Sequence, residues 1–103
     1  MSGLRQERDH DGKLSIWIFP AGDRNLLRRC SDCFVSDFGA QQTERFDAMD
    51  QIFWDFLAGS HHIVLRWDKG SGIAVAAGNT ATATEQLAQR VAEHLAARVI
   101  LTS

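Results

Sequence analysis

Residues 51–78 constrain the fold more than any other segment, and their sequence is QIFWDFLAGSHHIVLRWDKGSGIAVAAG. Three apolar runs are separated by two turn signals, at 58–60 and at 68–72, whose glycines allow positive φ. Within each run, apolar residues recur at every second position, which is the period of a β-strand. The segment therefore predicts an antiparallel β-meander with strands near 51–57, 63–68 and 73–77.

Three elements are predicted before the meander. Residues 14–19 are apolar at successive positions, which suits a central strand covered on at least one side. Asp23 is a predicted N-cap, since its carboxylate can accept hydrogen bonds from free backbone N–H groups of a short helix. That helix carries a narrow apolar stripe of Leu26, Leu27 and Cys30. Residues 33–39, CFVSDFG, are predicted to form a second strand.

The C-terminal quarter predicts an amphipathic helix. Thr82 and Glu85 have the spacing of a capping box, in which each side chain satisfies a free backbone donor near the other. Downstream, apolar residues recur every four positions, which places them on one side of a helix. They are Leu87, Val91, Leu95 and Val99.

Together these elements predict an α+β fold over a single domain, residues 1–103. It is a two-layer sandwich in which an antiparallel β-meander packs under two helices, in the order β-α-β-β-β-β-α. An alternative places a helix at 44–57, because several apolar residues there also fit helical spacing, and gives the order β-α-β-α-β-β-α. Residues 1–12 show no apolar periodicity and are predicted to be flexible.

Composition and charge exclude several classes of protein. The net charge is −2, and no apolar run approaches the roughly 18 residues that a membrane-spanning helix needs. The polar N-terminus differs from a signal peptide, and two cysteines do not make a disulfide framework. Because there is no basic stripe, we expect no nucleic-acid partner. Because there is no spanning run and no signal peptide, we expect no membrane partner and a cytoplasmic location. We also expect no cofactor. Residues 30–70 hold seven acidic and three basic residues, which favours a solvated acidic face, and the alternative is that this charge attracts a basic partner.

Cys30 and Cys33 form a C-x-x-C motif, which in other proteins supplies a redox disulfide or two zinc ligands. Further zinc ligands would have to come from His61 and His62, but neighbouring residues on a strand point to opposite faces. The motif also lies near the predicted C-terminal end of a helix, where the dipole does not favour a thiolate. The sequence therefore favours two half-buried cysteines that pack as small apolar groups, and a metal or redox role remains the alternative. No placed nucleophile accompanies the histidines, so we expect no catalytic residue.

One resemblance to known families covers roughly residues 50–97. The residues that carry it are Trp54-Asp55-Phe56, Gly59, Ile63, Leu65, Ser71-Gly72-Ile73 and a leucine-rich helix. In these the chain resembles small proteobacterial proteins of similar length and immunity proteins of polymorphic and contact-dependent toxin systems. The resemblance implies a stoichiometric binder that blocks a toxin, with no active site to carry over.

The meander holds more aromatic and acidic side chains than its turns explain, namely Trp54, Asp55, Phe56, Trp67 and Asp68. We interpret these five residues as a binding surface. The sequence thus predicts a small non-enzymatic protein that acts through a protein–protein surface, in its sharpest form an immunity protein. Its partner would be a basic toxin domain or a second copy in a homodimer. The alternatives are a redox or metal-binding protein that uses the cysteines and histidines, and a homodimeric structural domain.

Overall fold

A six-stranded antiparallel sheet organises the structure. The computed structural model describes residues 4–101. In chain order its elements are β1 (Arg5–Arg8), β2 (Leu14–Phe19), α1 (Arg24–Phe38), β3 (Gln41–Asp47), β4 (Gln51–Ala58), β5 (His61–Asp68), β6 (Gly72–Ala77) and α2 (Thr82–Leu101). The strands follow the order β1-β2-β6-β5-β4-β3 across the sheet. The predicted α+β class is therefore confirmed as a mixed fold with an antiparallel sheet and two helices.

The predicted meander is confirmed in the register of β4, β5 and β6. Trp54 pairs with Leu65, and Leu65 pairs in turn with Val75. Residues of β4 are buried at every second position, Ile52, Trp54, Phe56 and Ala58. The alternative helix at 44–57 is wrong, because this period of two belongs to a strand and the intervening side chains are more exposed.

The two faces of the sheet differ in what they pack against. We define the first face by the strand residues that share one apolar core cluster with residues of both helices. On the four central strands these include Leu14, Ile16, Ile18, Ile52, Trp54, Phe56, Ile63, Leu65, Ile73 and Val75. The second face carries their neighbours in sequence, because consecutive side chains of a strand point to opposite sides. Trp17 and Ala74 lie on the second face and are buried outside that cluster.

Helix α2 presents the predicted apolar stripe to the core. Its buried residues include Leu87, Ala88, Val91, Ala92, Leu95 and Val99, and the helix packs against β2, β5, β6 and α1. Glu85 lies in the first turn, as predicted, but its carboxylate accepts hydrogen bonds of 2.6 and 3.0 Å from Arg8. Glu85 therefore links β1 to the start of α2. Its negative charge also interacts favourably with the dipole at the N-terminus of the helix.

Helix α1 is longer than predicted, and the strand predicted at 33–39 is wrong. Asp23 caps the helix as predicted, since its side chain accepts from the backbone N–H of Leu26 at 3.0 Å. The apolar stripe continues beyond Cys30 to Phe34, which is fully buried. The helix ends at Gly39, whose φ of 66° is the left-handed conformation typical of a helix C-cap. Residues 33–38 are therefore helical because their apolar spacing extends the stripe, with Gly39 as the stop.

Two edge strands lack the apolar alternation by which a strand is predicted. Every residue of β3 is exposed, and β3 follows α1 where no separate strand was predicted. Strand β1 (Arg5–Arg8) lies inside the segment 1–12, for which the sequence predicts flexibility, and residues 1–3 lie outside the described residues. The order is thus β-β-α-β-β-β-β-α, because backbone pairing with β2 and β4 holds both polar edge strands.

We predict that removing the Phe56 side chain destabilises the fold strongly. Phe56 is fully buried, and its ring packs edge-to-face on that of Phe34 with the ring centroids 5.1 Å apart. Phe56→Ala should lower the free energy of unfolding by about 3–5 kcal/mol, measured by urea denaturation. Met49→Ala is the control, because Met49 is 90% exposed and its loss should change stability by no more than about 0.5 kcal/mol. Equal effects of the two substitutions would contradict the described core.

Candidate functional site

The aromatic part of the predicted binding surface lies on the core side of the sheet. Trp54 is 5% exposed and Phe56 is fully buried. The indole N–H of Trp54 donates to Asp47 at 2.7 Å. Trp67 is half-buried against the same core, and its indole N–H donates to the carbonyl of Gly22 at 2.8 Å. Burial therefore leaves Trp54 and Phe56 almost no area to offer a partner.

The acidic part of that predicted surface lies on the second face. The carboxylate of Asp55 is 3.2 Å from Nε2 of His62, and that of Asp68 is 2.5 Å from a guanidinium nitrogen of Arg66. Both acids thus already have partners within the chain. The five predicted residues are divided between two faces and do not form one continuous patch.

A cluster around Arg66 occupies the centre of the second face. The guanidinium carbon of Arg66 lies 5.0 Å from the ring centroid of Trp17 and 5.5 Å from that of Phe53. These distances are typical of cation–π contacts. A second guanidinium nitrogen donates to the hydroxyl of Ser15 at 3.3 Å, and Trp17 donates to the carboxylate of Glu7 at 2.8 Å. Through this cluster, which sequence reasoning did not single out, four strands are joined across the second face.

A groove of about 290 Å³ borders the Arg66 cluster. Its lining includes Asp9, Lys13, Asp55, His62 and Arg66. A direct contact of 3.2 Å joins Nε2 of His62 to the carboxylate of Asp55. The groove therefore contains a histidine–carboxylate pair between charged groups of both signs.

An exposed apolar corner lies where β3 turns into β4. We call Phe46, Met49 and Phe53 the Phe46 corner. Phe46 is 58% exposed and Met49 is 90% exposed, while the ring of Phe53 lies behind Phe46 with a centroid distance of 6.2 Å. Nearby Glu44 and Asp50 form no side-chain ion pair with any residue in the range 4–101. The corner thus combines apolar area with acidic side chains that form no ion pair, and Lys69 lines the same groove as Phe46, Met49 and Asp50.

The two neighbouring histidines do not meet. Nδ1 of His61 lies 3.0 Å from the hydroxyl of Thr84, a buried residue of α2. His62 bonds to Asp55 on the second face. Their opposite directions follow from the alternation of side chains along β5, so a single ion cannot contact both.

The two cysteines lie in the middle of α1, and the prediction that placed them near a helix end is wrong. Burial raises the pKa of the Cys30 thiol to about 12. Burial, followed by a hydrogen bond to Asp37, raises the pKa of the Cys33 thiol to about 11. Both groups are therefore protonated near neutral pH, which disfavours the thiolate chemistry of a redox motif.

Cys33 meets two residues that sequence reasoning missed. Its thiol donates to the carboxylate of Asp37 at 3.2 Å, and the same oxygen lies 2.6 Å from Nε2 of His94 on α2. These hydrogen bonds hold the pKa of Asp37 below its ordinary value, with the bond to His94 as the largest cause. The spacing of four between Cys33 and Asp37 becomes informative only when α1 extends to Phe38. The described residues bring neither Cys30 nor His61 nor His62 into this group.

No protein-family model matches the chain, and no curated protein and no solved structure matches it either. Within residues 4–101, neither helix combines the length and the apolar character that crossing a bilayer requires.

We predict that the Arg66–Asp68 pair supports the second face. Arg66→Met should leave the mostly buried carboxylate of Asp68 without its cation and lower the free energy of unfolding by about 1–3 kcal/mol. The double variant Arg66→Met/Asp68→Asn should lose less than the sum of the two single variants. Urea denaturation measures both effects, and Arg90→Met on the exposed side of α2 is the control. Strict additivity of the two substitutions would contradict the pairing.

Proposed function

We propose that this protein is a non-enzymatic protein-binding protein whose contact surface is the Phe46 corner. The observation that carries the proposal is the exposure of Phe46 and Met49, 58% and 90%, beside the half-buried Phe53. Exposed aromatic and methionine side chains are enriched where proteins bind proteins. An apolar corner of this kind gains free energy when a partner removes it from water.

The proposal takes the fold to be a two-layer α/β sandwich. In that arrangement both helices cover the first face, whose residues share the core cluster with them. The second face then remains for a partner, and Phe53 and Phe46 lie on it at the β3 edge. Arg66 contacts the rings of both Phe53 and Trp17, and so links the corner to the centre of this face.

Charge favours a basic partner. Glu44 and Asp50 flank the corner without ion pairs inside residues 4–101. Residues 30–70 hold seven acidic residues against three basic ones. A partner with a basic surface and an apolar pocket for Phe46 would match both features. The immunity-protein resemblance fits this chemistry, and the proposal is then a cytoplasmic inhibitor that occupies a basic toxin domain.

Strand β3 favours contact through side chains over strand addition. Its charged residues Glu44, Arg45 and Asp47, and a register shift between Gln42 and Glu44, are features that protect edge strands from pairing. Arg45 is also held within the chain, by Asp47 at 2.8 Å and by the ring of Trp54 at 4.8 Å from its centroid. The side chain of Phe46 is therefore the better anchor for a partner.

We predict that Phe46→Asp removes binding. The tagged protein should co-purify a basic partner from its own cells in a fixed ratio, and titration calorimetry with that purified partner gives the dissociation constant. Phe46→Asp should raise this constant about 30-fold or more, the effect of losing a central anchor worth about 2 kcal/mol. Val35→Asp is the matched control, since Val35 is 44% exposed on α1, away from the corner.

The outcomes separate the proposal from its alternatives. A partner that stops growth when produced alone, and is neutralised by the wild-type protein but not by Phe46→Asp, supports the inhibitor. A homodimer in light scattering that Phe46→Asp dissociates makes the partner a second copy. Binding that survives Phe46→Asp, or that Val35→Asp weakens equally, would overturn the assignment of the corner.

A further inference from the structure

Three side chains with metal-ligating atoms converge between α1 and α2. Cys33 and Asp37 are four residues apart on α1, and His94 faces them from α2. One sulfur, one carboxylate oxygen and one ring nitrogen lie within 4.8 Å of one another. Both shorter contacts end on Oδ2 of Asp37, at 3.2 Å from the sulfur and 2.6 Å from Nε2 of His94.

Hydrogen bonds join these three side chains. Oδ2 of Asp37 accepts a hydrogen bond from the Cys33 thiol and lies within hydrogen-bond distance of Nε2 of His94. A cation placed among the three atoms would replace these hydrogen bonds and interact with the same sulfur, oxygen and nitrogen atoms.

We propose that Cys33, Asp37 and His94 bind a divalent transition-metal ion of the zinc class. Thiolate, imidazole and carboxylate together form a mixed sulfur–nitrogen–oxygen set that zinc and cobalt accept, whereas magnesium and calcium prefer oxygen alone. Three protein ligands leave one position of a tetrahedral ion open. This role differs from the contact surface at the Phe46 corner and does not depend on it.

The geometry requires only a small rearrangement. Ligand bonds of about 2.0–2.3 Å place neighbouring donors of a tetrahedral zinc ion about 3.5 Å apart. The separation of the Cys33 sulfur and Asp37 oxygen is already near that value, and the contact between Asp37 and His94 must widen by roughly 1 Å. All three side chains have some solvent exposure, so an ion can enter without unfolding the helices.

Charge is balanced in the proposed site. A thiolate and a carboxylate neutralise a divalent ion, and His94 is a neutral ligand when bound. Nε of Arg98 lies 3.6 Å from Oδ2 of Asp37 and adds one positive charge beside the site. Phe38 packs edge-to-face on the ring of His94, with centroids 5.2 Å apart, and fixes the direction of the imidazole.

Binding should depend on pH, because the ion replaces a thiol proton. Because a thiol must release its proton to become a thiolate ligand, the affinity should be higher at a higher pH. The charged or titratable groups that face the thiol are Cys30 and Asp37 on α1, with His94 and Arg98 on α2. Each released proton can be counted by comparing binding heats in buffers of different ionisation enthalpy.

Titration of the full chain with Co²⁺, after chelator treatment and desalting, tests the site. The wild type should bind one ion, show a thiolate-to-cobalt absorption band and lose that band when Zn²⁺ is added. Cys33→Ala should abolish the band. His94→Gln should weaken binding by more than about tenfold, because tenfold is the smaller loss seen when a residue that only hydrogen-bonds to a metal ligand is substituted. Cys30→Ala and His10→Gln are matched controls and should bind as the wild type does.

A second measurement, the melting temperature, uses the wild type alone. Zn²⁺ should raise the melting temperature of the wild type, because the ion links α1 to α2 and binds the folded state preferentially. Circular dichroism of each variant without metal shows whether it folds. If the wild type shows neither the band nor the rise in melting temperature, the three residues form only a hydrogen-bonded clasp and the proposal is overturned. A band that persists in Cys33→Ala would overturn it equally.

Discussion

The alternation of side chains along the four central strands is the constraint on which the rest of the structure depends. When Trp54 and Phe56 turn toward the helices, Phe53 and Asp55 must turn the other way. A one-residue shift in register would exchange the two sets and expose the core. The edge-to-face contact of Phe56 with Phe34 then joins this register to α1.

This alternation divides the chemistry of the chain between two locations. On the second face, the guanidinium of Arg66 contacts the rings of Trp17 and Phe53. None of these three residues belongs to the apolar core cluster, so the packing of this face depends on a charged side chain. Between the helices, Cys33 and His94 converge on Asp37. The proposed binding corner and the proposed metal site are therefore separate and can be tested separately.

The sequence was sufficient to predict the parts of the fold that have apolar periodicity. The strands of the meander and α2 follow directly from such patterns, whereas β3 and Arg5–Arg8 are polar throughout and are held by backbone pairing that no local pattern reveals. The end of α1 was missed because Phe34 and Phe38 fit a strand as well as a helix when read in a short window.

The site residues were harder to predict, because contacts between distant residues decide them. Trp54 and Phe56 were reasonable surface residues in the sequence, and only the packing of α1 shows that they are core. The histidine that shares Asp37 with Cys33 is His94, sixty-one positions from Cys33 in the sequence, and not the nearer His61 or His62. Residue type identified Cys33 as a possible ligand, while topology determined what lies beside it.

Hydroxyl-radical footprinting of the wild-type protein, read by mass spectrometry, tests the division of the sheet most directly. We predict rapid oxidation of Met49 and Phe46, which are 90% and 58% exposed, and protection of Trp54 and Phe56. The comparison of Phe46 with Trp54 is a demanding one, because tryptophan reacts with hydroxyl radicals faster than phenylalanine does at equal exposure. Oxidation of Trp54 as fast as that of Met49 would contradict the described register and the surface built on it.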